Sequence, residues 1–250
     1  MHMNTLCLIT HRPRTVWCEL LEGFANYHVT MIVDDSLLDC TQYIEKYPHI
    51  TFVQIDNGVC MQAGYKDTNF TLHKPVSGWD KALYYFGKRG PKNISETSGR
   101  IWFIEDDTYF YNEDTLLQID RQYVDDDLLS NPYNVNETCH KKDWLWKHIP
   151  IQHYDLPYYS GMMCAVRMST RTLFFIDAYA TKYKTLFFLE VLFPTVAMKH
   201  GLKYRCPDQL SEVHYRKNFV PAHINRTHLY HPIKDLRGHV FLRNDKKTVL

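Results

Sequence analysis

Alternation constrains this chain more than any single motif does. Apolar runs at Thr5–Thr10, His28–Val33, Ile50–Ile55 and Arg100–Ile104 are separated by polar turns and helix-forming segments. Helices are expected over Val16–Phe24, from a Ser36 cap to about Tyr47 before Pro48, and from Trp79 to about Lys88, ended by Gly87, Gly90 and Pro91. Strand and helix in this order predict an α/β fold, a mostly parallel central sheet with helices on both faces. In such sheets ligands bind beyond the carboxyl ends of the strands. His11–Arg12, Asp34–Asp35 and Glu105–Asp107 each follow a strand, so all three are expected along one sheet edge.

The second half is less regular. The stretch 125–148 reads as a polar loop with Asp125–Asp127 exposed, Tyr158–Arg167 as a strand, and Ser169–Lys182 and Phe187–His200 as helices, the latter ended by Gly201. The basic tail from Asn218 has weak periodicity and is expected to fold back over the sheet edge.

Composition narrows the classes of function. A net charge of +1 argues against a general nucleic-acid binder. The run Leu6–Ile9 is too short to span a membrane, and Thr185–Ala197 is interrupted by Glu190 and Pro194, so it reads as buried. No signal peptide is evident, and seven scattered cysteines read as reduced thiols; a cytoplasmic protein is expected. At 250 residues the chain suits a single domain with a substantial core.

Two features carry chemistry. The apolar strand Ile101–Ile104 delivers Glu105, Asp106 and Asp107 in succession. Adjacent carboxylates repel, and hard oxygen donors suit Mg²⁺ or Mn²⁺, which can bridge to a diphosphate. A solvated acidic turn is the competing reading. The second feature is Glu190, a lone acid within Leu186–Phe193. Burial raises a carboxyl toward the range of a general base, while a buried ion pair with Arg167 or Lys184 is the alternative. Asp155 and Asp208 are weaker candidates for the base.

A strand ending in such an acidic cluster resembles the metal-binding Asp-X-Asp motif of GT-A glycosyltransferases, and the likeness extends over roughly Thr5 to Asp235. Gly78-Trp79-Asp80-Lys81-Ala82, Trp102–Asp107 and Tyr230-His231-Pro232-Ile233-Lys234 also resemble segments of algal and large algal-virus glycosyltransferases, some of which, including a xylosyltransferase, build capsid glycans. The resemblance implies that Asp107 contacts the metal, with Asp106 or Glu105 reaching the ribose or the metal through water. It implies that Thr10, His11, Arg12, Asp34 and Asp35 hold base, ribose and phosphate. Trp79, Asp80 and Lys81 belong to the same donor site: the helix they open and Lys81 favour an anion, and Asp80 suits a sugar or ribose hydroxyl. Late in the chain, His231 is the implied metal ligand, with His214, His223, His228 and His239 as rivals, and Lys234 holds the leaving phosphate. Tyr159, Ser160, Gly161 and Met162 form the implied acceptor floor, and Trp144, Trp146 and Tyr158 are available for sugar stacking.

Residues 1–250 are thus expected to form one domain, about 1–107 binding a nucleotide-sugar (UDP-sugar favoured, UDP-xylose by the viral likeness) and about 108–250 the glycan acceptor. Stereochemistry stays open, since a retaining enzyme needs no Glu190 base. A metal-dependent phosphodiesterase, a glycoside hydrolase using Glu105 and Glu190, and a non-catalytic carbohydrate-binding domain are the alternatives.

Overall fold

A computed structural model describes residues 4–69, 74–89, 99–138, 146, 149 and 153–244. In chain order the strands are β1 (Asn4–Thr10), β2 (Tyr27–Val33), β3 (Ile50–Val53), β4 (Arg100–Glu105), β5 (Leu128–Leu129), β6 (Asn134–Asn136), β7 (Tyr158–Ser160), β8 (Ala165–Ser169) and β9 (Tyr204–Arg205). The α-helices are α1 (Thr15–Glu22), α2 (Thr41–Lys46), α3 (Asn57–Ala63), α4 (Gly78–Tyr84), α5 (Glu113–Gln122), α6 (Thr170–Tyr183), α7 (Leu189–Lys199) and α8 (Leu236–Asn244).

Seven strands form one sheet in the order β3-β2-β1-β4-β8-β5-β9, and β6 pairs with β7 in a small second sheet. β3, β2, β1 and β4 are mutually parallel, β8 runs antiparallel to β4 and β5, and β9 is parallel to β5. The chain winds outward from β1 to β3, then returns to place β4 on the other side of β1. That reversal creates a switch point between β1 and β4, where the carboxyl ends of an open α/β sheet leave a crevice. Register puts Ile9 beside Glu105 and Thr10 beside Val33, so the three polar turns do share one edge.

Strand alternation explains the two-sided core. Cys7, Ile9, Ile101 and Phe103 pack on one face with Trp79 of α4 and Phe193 of α7. Leu6, Leu8, Trp102 and Ile104 pack on the other with Trp17 of α1 and Leu116 of α5. Arg167 of β8 is 1% exposed and donates to Asp120 Oδ1 at 2.9 Å. Asp120 also accepts from Trp102 Nε1 at 3.0 Å, from the Tyr27 hydroxyl at 2.5 Å and from Asn4 Nδ2 at 2.7 Å. Asp120→Ala strands a buried guanidinium, so it is expected to cost about 3–5 kcal/mol of stability in urea unfolding.

Several expectations change. Ser36 starts no helix: residues 36–37 form a turn in which Leu37 N–H donates to Asp35 Oδ1, and α2 begins at Thr41, whose N–H donates to Asp39 Oδ1. Asp126 and Asp127 are buried, not looped out. Asp127 accepts from Ser169 Oγ and Lys203 N–H, tying β8 and β9 together, and Asp126 takes Arg205 at 3.2 Å. The expected strand Tyr158–Arg167 is two strands, β7 and β8, with 161–164 between them. The helix expected to Lys88 is α-helical only to Tyr84 and continues as a π-turn over Tyr85–Arg89. Gly90 and Pro91, like Trp144, lie outside the described residues.

The tail does fold back. α8 packs against α1, with His239 edge-on between Trp17 and Tyr109 at 5.3 and 5.5 Å. Arg243 lies 5.0 Å over the Trp17 ring and donates to the Phe110 carbonyl at 3.1 Å. None of the helices among the described residues is long and apolar enough to cross a membrane.

Candidate metal and donor site

The acidic cluster divides as it leaves β4. Glu105 Oε1 accepts from Trp79 Nε1 at 2.5 Å. Asp106 turns toward β1, where Oδ2 accepts from Thr10 Oγ1 at 2.5 Å and its carbonyl accepts from Trp17 Nε1 at 2.8 Å. Asp107 faces the tail. Ile233 N–H donates to the Asp107 carbonyl at 2.7 Å, and Tyr109 and Tyr230 form an antiparallel bridge. These contacts bring His231 to the acids: its Nε2 lies 3.1 Å from Asp107 Oδ1 and 3.8 Å from Glu105 Oε2.

The imidazole is oriented from behind. His231 Nδ1 stands 2.5 Å from the His214 carbonyl, which can only accept, so Nδ1 carries the proton. In the neutral ring Nε2 then presents a lone pair to Asp107 Oδ1, a buried oxygen with no hydrogen-bond donor. Two lone pairs facing at 3.1 Å need positive charge between them or on the ring. A second proton supplies it in one way. Burial works against that proton, but Asp107, the His214 carbonyl and Glu105 outweigh it and hold His231 above its ordinary value. A divalent cation supplies the charge in the other way. An imidazole whose far nitrogen is tied to a carbonyl, beside two carboxylates, is a suitable ligand set for Mn²⁺ or Mg²⁺. Glu105 is itself pushed up by burial and by Asp107.

Glu190 opens α7 and lines a cleft of about 400 Å³ with Asn131, Trp146, Ser160, Gly161, Met162 and Tyr215. Its expected alternative fails: Arg167 is committed to Asp120, and no ion pair to Glu190 occurs among the described residues. Burial, then repulsion from Glu105, push the Glu190 carboxyl up to about 8, with His231 pulling the other way. Asp155 is exposed, and Asp208 is 87% exposed beside His228.

The first two strand ends are more tightly paired than expected. Lys81 is 1% exposed and meets Asp34 Oδ1 at 3.0 Å and the Asp34 carbonyl at 2.5 Å, so its charge is committed to Asp34 rather than to a phosphate. Lys74 pairs with the same carboxylate, and the two lysines outweigh burial to hold Asp34 low. Asp80 is fully buried and accepts from Ser77 N–H and Oγ and Thr68 N–H, so it offers nothing to a ribose. Those bonds form a capping box at the start of α4. A Cβ on Gly78 would stand 2.7 Å from Ile9 Cγ2, so this glycine lets α4 press onto β1. Arg12 is 59% exposed and pairs with Asp35 at 2.8 Å, and His11 is exposed.

Around the cleft, Ser160, Gly161 and Met162 line the wall as expected, while Tyr159 packs edge-on to Tyr133 and its N–H donates to Thr195 Oγ1. Gly161 serves packing: a Cβ there would meet Met163 Cε at 3.0 Å and Tyr204 Oη at 3.3 Å. Among the rival histidines, His239 is buried against the Ile233 carbonyl at 2.7 Å and pushed down to about 4 by that burial. His228 pairs with Asp208, so His231 is the one at the acids. Lys234 is exposed three residues further on. Cys164, which no local motif marks in the sequence, stands opposite Glu105 through the β4–β8 register.

No protein-family model and no curated protein sequence matches the chain. Among solved structures it is similar to mouse xyloside xylosyltransferase 1 in its apo form, at 9% identity and a TM-score of 0.44, over 91% of this chain and 96% of that one. It is also similar to 4-diphosphocytidyl-2C-methyl-D-erythritol synthase from Anaerococcus prevotii, at 10% identity and a TM-score of 0.47, over 82% of this chain and 87% of that one. Likenesses at this level concern the course of the chain alone.

Proposed function

We propose that this chain is a metal-dependent glycosyltransferase that moves a sugar from a nucleotide-sugar, UDP-sugars favoured, to a hydroxyl of a glycan acceptor. The observation that carries the reading is the convergence of Asp107, Glu105 and His231 at the switch point of the sheet, with His231 Nε2 3.1 Å from Asp107 Oδ1. Asp107, His231 and Glu105 would hold Mn²⁺ or Mg²⁺, which when bound neutralises charge on a departing diphosphate.

The chain's own groups divide the remaining work. Trp79 fixes the Glu105 carboxylate through its indole N–H. Asp34 and Asp35 stand at the edge beside β1 and β2, where they would accept hydrogen bonds from base and ribose, while Thr10 fixes Asp106; Lys81 orients Asp34 rather than touching phosphate. Lys234, exposed just past His231, is free to meet the leaving diphosphate. The lining of the cleft comes from residues 131–215, which supports an acceptor half following a donor half. Glu190 takes the proton from the acceptor hydroxyl. That oxygen bonds to the anomeric carbon as the bond from this carbon to the diphosphate breaks, which inverts the centre.

A thermal-shift panel tests this reading: UDP, GDP, UDP-glucose, UDP-galactose and UDP-xylose, each with and without Mn²⁺. A nucleotide at ~100 times its Kd stabilises the fold by roughly 2.7 kcal/mol. Metal-dependent stabilisation by one nucleotide is expected. A shift with Mn²⁺ alone, followed by cleavage of simple phosphodiesters, would favour the phosphodiesterase alternative.

A further inference from the structure

We propose that Cys164 is a ligand of the same centre, which therefore binds a thiophilic divalent cation of the zinc–cobalt–cadmium class through sulfur as well as through oxygen and nitrogen. This rests on the reading of Glu105, Asp107 and His231 as a metal centre, and extends it to a donor that the acidic cluster does not announce.

The thiol is there because of strand register. β8 runs antiparallel to β4 with Ile104 opposite Ala165, so one step further Cys164 stands opposite Glu105. The backbone continues the pairing: Glu105 N–H donates to the Cys164 carbonyl at 2.9 Å, and Thr108 Oγ1 donates to the same oxygen at 3.4 Å. Directly opposed residues in an antiparallel pair hold their Cβ atoms about 4.5–5.5 Å apart, so the two side chains are forced into company. A ligand atom from each of Glu105, Cys164 and His231 lies within 4.8 Å of the other two. Zinc–ligand lengths of about 2.0–2.3 Å put donors roughly 3.5 Å apart at a tetrahedral centre, so closure needs only side-chain adjustment.

The three donors that stand together are chemically mixed: one carboxylate, one imidazole and one thiol, with the Asp107 carboxylate on the His231 side. Oxygen and imidazole alone leave hard and borderline cations in competition. A thiolate tips the set toward cations that accept sulfur, along the same order that already favours cobalt and zinc over manganese. Binding through sulfur releases the Cys164 proton to solvent as the bond to the cation forms. Cys164 is 7% exposed, so its thiol is largely shielded from bulk solvent. Of the other described cysteines, Cys7, Cys18, Cys40 and Cys60 are buried and Cys206 is exposed, which makes Cys206 the control.

The test is a Co²⁺ titration of the full chain, read by absorption. Visible ligand-field bands report Co²⁺ in the site, and a near-ultraviolet thiolate-to-cobalt charge-transfer band reports sulfur bound to it. Wild type is expected to show both at one Co²⁺ per chain. Cys164→Ser is expected to keep the visible bands and lose the charge-transfer band, and Cys206→Ser to keep both. Visible bands without charge transfer in the wild type, or charge transfer that survives Cys164→Ser, would overturn the sulfur ligand and leave the oxygen–nitrogen centre standing. Absence of both bands in wild type would overturn the metal centre and the sulfur ligand together.

Discussion

Asp107→Ala is expected to lower kcat/KM by roughly 10³-fold, about 4 kcal/mol of transition-state stabilisation, and to remove metal-dependent nucleotide binding. At alkaline pH, where His231 is neutral, the same change is expected to leave the metal-free protein as stable as wild type, or more so. The two effects have one origin. Asp107 Oδ1 is buried beside His231 Nε2, which in the neutral ring presents a lone pair and no donor. An unpaired polar atom costs stability until a cation arrives, and removing it ends that cost together with the site's purpose. Steady-state kinetics with Mn²⁺ and melting in chelator measure the two halves separately. A metal-free variant melting well below wild type would instead make Asp107 a structural partner of a protonated His231.

The second large effect belongs to Glu190→Gln. If Glu190 is the base, kcat falls about 10²–10⁴-fold while donor binding is unchanged. The pH dependence distinguishes this from a packing role. Burial raises Glu190 from an ordinary 4.5 to about 8 in the folded chain. Between those values the native state holds a proton that the unfolded chain has released, so stability falls as pH rises through the window. Glutamine removes that penalty. Relative to wild type, the variant should gain nothing below about pH 4.5 and a few kcal/mol above about pH 8, with the gain shrinking once a cation sits nearby. Wild-type kcat should rise across the same window as the carboxylate forms, and the variant's residual rate should not follow it. A variant destabilised at every pH would point to a hydrogen-bonded structural carboxyl.

What was legible in the sequence follows physical range. β1, β2 and β4 are apolar runs stopped by polar turns, and their parallel pairing makes the shared edge unavoidable; local periodicity suffices to read this. Asp125 is exposed as its polar surroundings suggest, but Asp126 and Asp127 are buried by Ser169, Lys203 and Arg205, none of them near in sequence. β5 is two residues long and leaves no periodic trace. α8 lies in a His- and Arg-rich tail with little apolar pattern. Its buried face is His239 and Leu242, and Arg243 reaches Trp17 and Tyr109; His239 and Arg243 read as surface until aromatic rings cover them. At the site, Glu190 stands out in the sequence as a lone acid in an apolar run, and in the fold it lines the cleft. The placing of Asp107 and His231 rested on family resemblance, and the geometry brings the two side chains together. Lys81 and Asp80 were assigned to ligand because their partners, Asp34, Thr68 and Ser77, are fixed by how α4 seats on the strand ends. Cys164 depends on the register of an antiparallel strand that returns long after β4, which no spacing rule reveals.

The central claim is that Asp107, His231 and Glu105 bind a divalent cation that a nucleoside diphosphate then shares. Electron paramagnetic resonance of free Mn²⁺, titrated into the full chain with and without UDP, tests it most directly. The account predicts one Mn²⁺ bound per chain, held more tightly when UDP is present, and lost in Asp107→Ala. Mn²⁺ that stays free at every protein concentration, with UDP or GDP and without them, would contradict it.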